Sequence, residues 1–177
     1  MTIIQAQPII GKPLIEKEIW FNVAGVKAPG DNPATVVAHG LDSAWQFANA
    51  ITNNQESVSG RIRTPSDIDR NFAPIGFIGW SSNGVSPGNC KWQVEYIWSA
   101  IDSPTDAAAQ ETLAGTSTAS ATSRGLVIAE VDGIDIPGAD DECLTFRITR
   151  LSGDAEDTIA GTVEMIGASL RYTSTDT

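Results

Sequence analysis

The chain has a single histidine, two cysteines and only 11 lysines and arginines in 177 residues. Each scarcity excludes something. With His39 alone, no histidine-rich cage for a transition metal of the cupin kind can be built. Cys90 and Cys143 share no metal-ligand spacing with each other or with His39. Two free buried thiols are the plain reading, and the sequence leaves a disulfide open. The few cations face 22 acidic residues, for a net charge of −11. Such a surface repels a phosphate backbone, so no nucleic-acid partner is expected. The same charge favours solubility at high local concentration. No apolar run is long enough to cross a bilayer, and "MTIIQAQPIIGKPLIEK" lacks the basic start of a secretory signal. Synthesis in the cytoplasm and no membrane partner are expected.

Catalytic patterns are also missing. His39 lies in "VVAHGLD", close to Asp42, but there is no GxSxG elbow to supply a nucleophile. A structural histidine is the better reading. Carboxylates cluster at Asp67 and Asp69, at Asp140, Asp141 and Glu142, and at Asp154, Glu156 and Asp157. A glycosidase needs two such groups across a sugar, yet every acidic protein has pairs of this kind. Loop carboxylates also suit calcium, but the EF-hand pattern is absent, so solvated loops are the default. No catalytic residue, metal ligand or cofactor is assigned.

What the chain does have is strand signal. Its 16 Gly and 9 Pro, with many Thr, Ser, Val and Ile, favour short strands and turns. In "KWQVEYIWSA", Trp92, Val94, Tyr96 and Trp98 alternate with polar residues, as in a half-buried strand. Pro74 to Trp80 is apolar throughout, like a fully buried strand. The turn-rich "SSNGVSPGNC" between them predicts a hairpin. Further strands are expected over 15–24, 35–39, 57–63, 126–131, 143–150 and 162–172. In the last, the apolar parity slips between Met165 and Ala168, which a bulge near Gly167 would reconcile. Helix is expected only over 103–115, from its Ser-Pro start and alanines, with a turn or two over 43–51.

These patterns predict an all-β fold: an antiparallel β-sandwich of jelly-roll type with about eight strands and one short helix. Residues 14–177 form the domain and 1–13 an extended N-terminal arm. The arm's Ile3, Ile4, Ile9 and Ile10 need cover from water. Either they cap the sandwich or they add to a neighbouring subunit, a possible partner-binding arm. Of the five tryptophans, Trp45 sits in a loop-like stretch and is the candidate for an exposed ring that stacks on a glycan.

In order along the chain stand "WFNVAGVKAPG", "GLDSAWQFAN", Glu56, "RIRTPSDID", the strand ending in Trp80, "KWQVEYIW", and "LTFRITRLSGDAEDTIAGTVEMIGASLRYT". On these residues, over about 14–173, the chain resembles a group of small jelly-roll virion structural proteins of tailed bacteriophages. That resemblance implies a non-enzymatic particle component, first a capsid decoration or cement protein on the outer head surface. It implies a homotrimer and a major capsid protein or other virion protein as partner. It carries across no catalytic residue. The alternative is a carbohydrate-binding receptor module of a tail fibre or baseplate. The acidic corner of the last stretch, with Arg147 or Arg150 near Asp154 or Asp157, is read as scaffold, with an exposed ion pair across it.

Overall fold

The computed structural model describes residues 14–22, 26–27, 33–39, 42–48, 55–83, 87–100 and 108–175. Ile3, Ile4, Ile9 and Ile10 of the expected arm lie outside these. The described residues form eleven strands, more than the eight or so expected: β1 (Ile15–Asn22), β2 (Val26–Lys27), β3 (Thr35–His39), β4 (Asp42–Phe47), β5 (Ser57–Arg63), β6 (Ile75–Ser82), β7 (Asn89–Ser99), β8 (Glu111–Thr118), β9 (Val127–Val131), β10 (Cys143–Arg150) and β11 (Val163–Ser174). All strand pairs between them are antiparallel. They form two sheets packed face to face, the antiparallel jelly-roll sandwich expected.

The first sheet runs β3-β4-β11-β6-β9, and β1 also pairs with β11. The second runs β2-β5-β10-β7-β8. One flank of β11 is shared: β4 takes Val163 to Met165, and β1 takes Gly167 to Ser174. Against β6 the register of β11 shifts between Met165 and Gly167. This is the bulge the parity slip predicted, and it lets Val163, Met165, Ala168 and Leu170 all reach the core. In β7 the alternation holds from end to end. Trp92, Val94, Tyr96 and Trp98 face inward, and Gln93, Glu95 and Ile97 face out.

Three local expectations are corrected. β6 and β7 are not a hairpin: they lie in opposite sheets. Their tryptophans meet across the sandwich instead, with the rings of Trp80 and Trp92 6.4 Å apart. Burying two such rings against each other outweighs the local turn signal. The expected helix over 103–115 is also not seen. Residues 101–107 are outside the description, and Glu111 to Gly115 belong to β8, hydrogen-bonded to β7. Ladder pairing overrides the alanine and proline signals here. Over 43–51 the chain likewise forms β4, which turns Trp45 and Phe47 into the core. Among the described residues there is no helix.

Candidate functional site

Trp45 is the one named glycan-contact candidate that the structure describes, and it is buried. Only 8% of it is exposed, because its place on β4, opposite Met165 of β11, points the ring inward. The exposed indole is Trp20, at 55%. In β1 its neighbours Ile19 and Phe21 point to the core side, and Phe21 stacks on Phe146 at 4.9 Å, so period-two alternation turns Trp20 to solvent.

His39 lies on the first sheet. Its Nδ1 is 2.6 Å from Oε2 of the buried Glu164, and Arg124 approaches Oε1 of the same carboxylate at 3.4 Å. This cluster ties the strand β3 and the loop carrying Arg124 to β11, a structural role. The acidic corner is more deeply built than expected. Arg150 and Asp157 pair inside the protein, while Lys91 holds Asp154 and Glu156 at 3.0 Å each. Asp157 and Thr158 accept hydrogen bonds from the backbone N–H groups of Lys91 and Asn89, the capping role expected of this pair. Among the described residues, no group of three or more His, Cys, Asp or Glu side chains is placed to hold a metal ion.

The arrangement that remains lies on the outer face of the second sheet. A cleft of about 360 Å³ opens there, lined by Ser59 of β5, Thr145 and Arg147 of β10, Glu95 and Ile97 of β7, and Ala108 and Ala109. Register places these groups together: Arg147 is opposite both Ser59 and Glu95, and Thr145 is opposite both Arg61 and Ile97. Arg147 donates from Nε to Glu95 at 2.6 Å, and Arg61 donates from Nε to the Thr145 hydroxyl at 2.8 Å. The Glu95 carboxylate holds the Arg147 guanidinium above its ordinary pKa, so its charge is secure at any working pH. A second cavity, about 30 Å³ between the sheets, is lined almost wholly by apolar side chains and is too small for a ligand.

In the sequence alone Arg147 reads only as a partner for the acidic corner. The signal was nonetheless present. In "SVSGRIR" and "CLTFRITR" the residues Ser59, Arg61, Arg63, Thr145 and Arg147 all carry the parity opposite to the buried Val58, Leu144, Phe146 and Ile148. Strand pairing was the missing step that made them neighbours.

No protein-family model and no curated protein sequence matches the chain. Solved structures with a similar course of the chain include "CBM35 from Cellvibrio japonicus Abf62", at TM-score 0.49 and 9% identity over 89% of this chain and 98% of that one. A second is the CBM22-2 xylan-binding domain from Paenibacillus barcinonensis Xyn10C, at TM-score 0.45 and 11% identity over 86% and 94%. A third is the family 11 carbohydrate-binding module from Clostridium thermocellum, at TM-score 0.41 and 10% identity over 91% of each chain. At these values the likeness assigns no ligand to this chain; its own residues have to.

Proposed function

We propose that the protein is a non-catalytic carbohydrate-binding module whose site is the cleft on the outer face of the second sheet. One observation carries this reading: an open cleft of about 360 Å³ on a hydrogen-bonded sheet, lined by Ser59, Thr145, Glu95 and Arg147. Sugars present many hydroxyls, each a donor and an acceptor, and these four side chains offer both kinds of group. Strand pairing holds them in fixed register, which lowers the ordering cost of binding. Ile97, Ala108 and Ala109 supply apolar wall for the C–H faces of a sugar ring. The single histidine is committed to Glu164 on the other sheet, so the cleft has no imidazole base.

The test is affinity electrophoresis and calorimetry against xylan, mixed-linked β-glucan, amorphous cellulose, galactan and polygalacturonate. Binding to at least one, lost in a Glu95→Gln, Thr145→Ala double variant that still folds, is the expected result. Absence of binding across the panel counts against the reading.

A second reading, the virion component implied by the resemblance over residues 14–173, is favoured by a different face. Trp20, Leu126 and Ile128 are large apolar residues exposed at the surface of the first sheet. Exposed apolar groups of this size suit contact with another protein. On this reading the chain self-associates as a trimer and binds a capsid or other virion protein at the outer surface of the particle. Native mass spectrometry is expected to give a trimer that Trp20→Asp dissociates. A monomer at high micromolar concentration would remove the trimer from this reading.

A further inference from the structure

The binding face of this acidic protein is basic. Arg61, Arg63 and Arg147 all project from the outer face of the second sheet, in a chain whose net charge is −11. Thr145 stands opposite Arg61, and Arg147 is one step diagonal from it, so the three guanidinium stems sit roughly 7 Å from their nearest neighbours. Like charges this close on a sheet oppose one another. Among the described residues lining the cleft, Glu95 is the one carboxylate that faces them, and it is paired with Arg147.

The hydrogen bonding gives the set a direction. Arg61 and Arg147 are each anchored through Nε, to Thr145 and to Glu95. Among the described residues neither makes a hydrogen bond through its terminal nitrogens, and the Arg63 side chain makes none. An arginine held by Nε keeps its two Nη groups as a fork that matches the two oxygens of a carboxylate. Part of the rotamer cost of binding is therefore already met by the fold.

We infer that the ligand of the cleft is an acidic glycan, a chain of uronate sugars whose carboxylates are taken by the Nη forks of Arg147 and Arg61, with Arg63 extending the track. This rests on the carbohydrate-binding reading and adds the substrate class. Thr145, whose hydroxyl accepts from Arg61 and can still donate, is placed to read a hydroxyl beside a carboxylate, which a neutral glycan would share but an acidic peptide would not present. The acidic remainder of the surface then disfavours other orientations of an anionic chain, so the ligand is steered to this face.

The test is calorimetry on the full chain at about 50 mM salt, with polygalacturonate, its carboxyl-reduced neutral form, and polyglutamate as ligands. The expected result is affinity for polygalacturonate at least tenfold above that for the reduced form. Arg61→Gln and Arg147→Gln are expected to lose about tenfold each, the effect of about 1.4 kcal/mol. Arg63→Gln, which breaks no side-chain hydrogen bond or ion pair among the described residues, should lose several-fold. Arg171→Gln removes the same charge from the other sheet, where the guanidinium lies over Phe77, and should change nothing. Equal affinity for polygalacturonate and its reduced form, or equal losses from Arg171→Gln and Arg147→Gln, overturns the acidic class and leaves a neutral-glycan module standing. Polyglutamate binding with the same arginine dependence, and no polysaccharide binding, overturns both readings.

Discussion

Arg150 and Asp157 form a two-pronged ion pair inside the protein: Nε to Oδ2 at 3.0 Å and Nη2 to Oδ1 at 2.8 Å, with side chains 1% and 0% exposed. Two further N–H groups are used, one on Nη1 by the carbonyl of Gly161 and the second on Nη2 by that of Ile159. Asp157 in turn accepts from the Lys91 backbone N–H. The pair thus fastens the loop between β10 and β11, where the chain crosses from one sheet to the other, onto the start of β7.

Because each charge is buried and held mainly by the other, this pair is strong only while intact. Removing one partner leaves a buried charge uncompensated, and Arg150→Met or Asp157→Asn is expected to cost about 3–5 kcal/mol. Urea unfolding followed by tryptophan fluorescence measures this directly. Replacing both by apolar residues should cost clearly less than the sum of the two single changes. A single variant within about 0.5 kcal/mol of wild type would mean the pair is not buried in solution.

Gly115 makes a second prediction. A Cβ built there meets the carbonyl oxygen of Glu130 at 2.2 Å, a backbone atom that has no rotamer to move away with. The glycine therefore sets how closely β8 of the second sheet approaches β9 of the first. Gly115→Ala should separate these two edges and cost at least about 2 kcal/mol. The comparison is Gly161→Ala, where nothing lies within 4 Å of the added carbon and the effect should be small. Equal melting temperatures for the two variants would remove the close approach.

Much of this architecture was legible where period-two alternation is clean. β3, β5 and β10 fall on the expected residues, and the bulge in β11 follows from its own parity slip. What failed were features decided by pairing. Trp45 reads as a loop residue until β11 supplies a partner for β4, and the alanine-rich approach to β8 reads as helix until β7 does the same. The arginine face failed for a related reason. Arg61 and Arg147 are 86 positions apart in the chain, and only the β5–β10 register brings them to one surface. Burial of the Arg150–Asp157 pair was missed because charge suggests exposure unless the tertiary partners are known.

The two free cysteines differ in a way that a labelling reagent can read. Cys90 is fully buried beside Trp92 in the core-facing row of β7, and burial pushes its thiol far above the ordinary range. Cys143 is half-buried on β10, opposite Arg63 on the arginine face. A thiol reagent should therefore label Cys143 in the native protein and Cys90 only on unfolding. Polygalacturonate should slow labelling of Cys143 if it covers that face. Fast native labelling of both residues would contradict the buried position of Cys90.

Asp67 gives the pH prediction. Its carboxylate accepts from Lys17 Nζ at 2.5 Å, Ser174 Oγ at 2.7 Å and Tyr172 Oη at 3.2 Å, so it joins the segment after β5 to both β1 and β11. The Lys17 hydrogen bond first, and that of Ser174 next, lower its pKa from 3.8 to about 2. A carboxylate more acidic in the folded than in the unfolded chain stabilises the fold above the unfolded value. That stabilisation is lost as pH falls from about 4 toward 2. Lys17 is partly solvated, so after screening the contribution is about 1–2 kcal/mol. The difference in unfolding free energy between wild type and Asp67→Asn should therefore be level near neutrality and shrink across that interval. A difference that stays constant down to pH 2 would show that Asp67 is not held ionised by these partners.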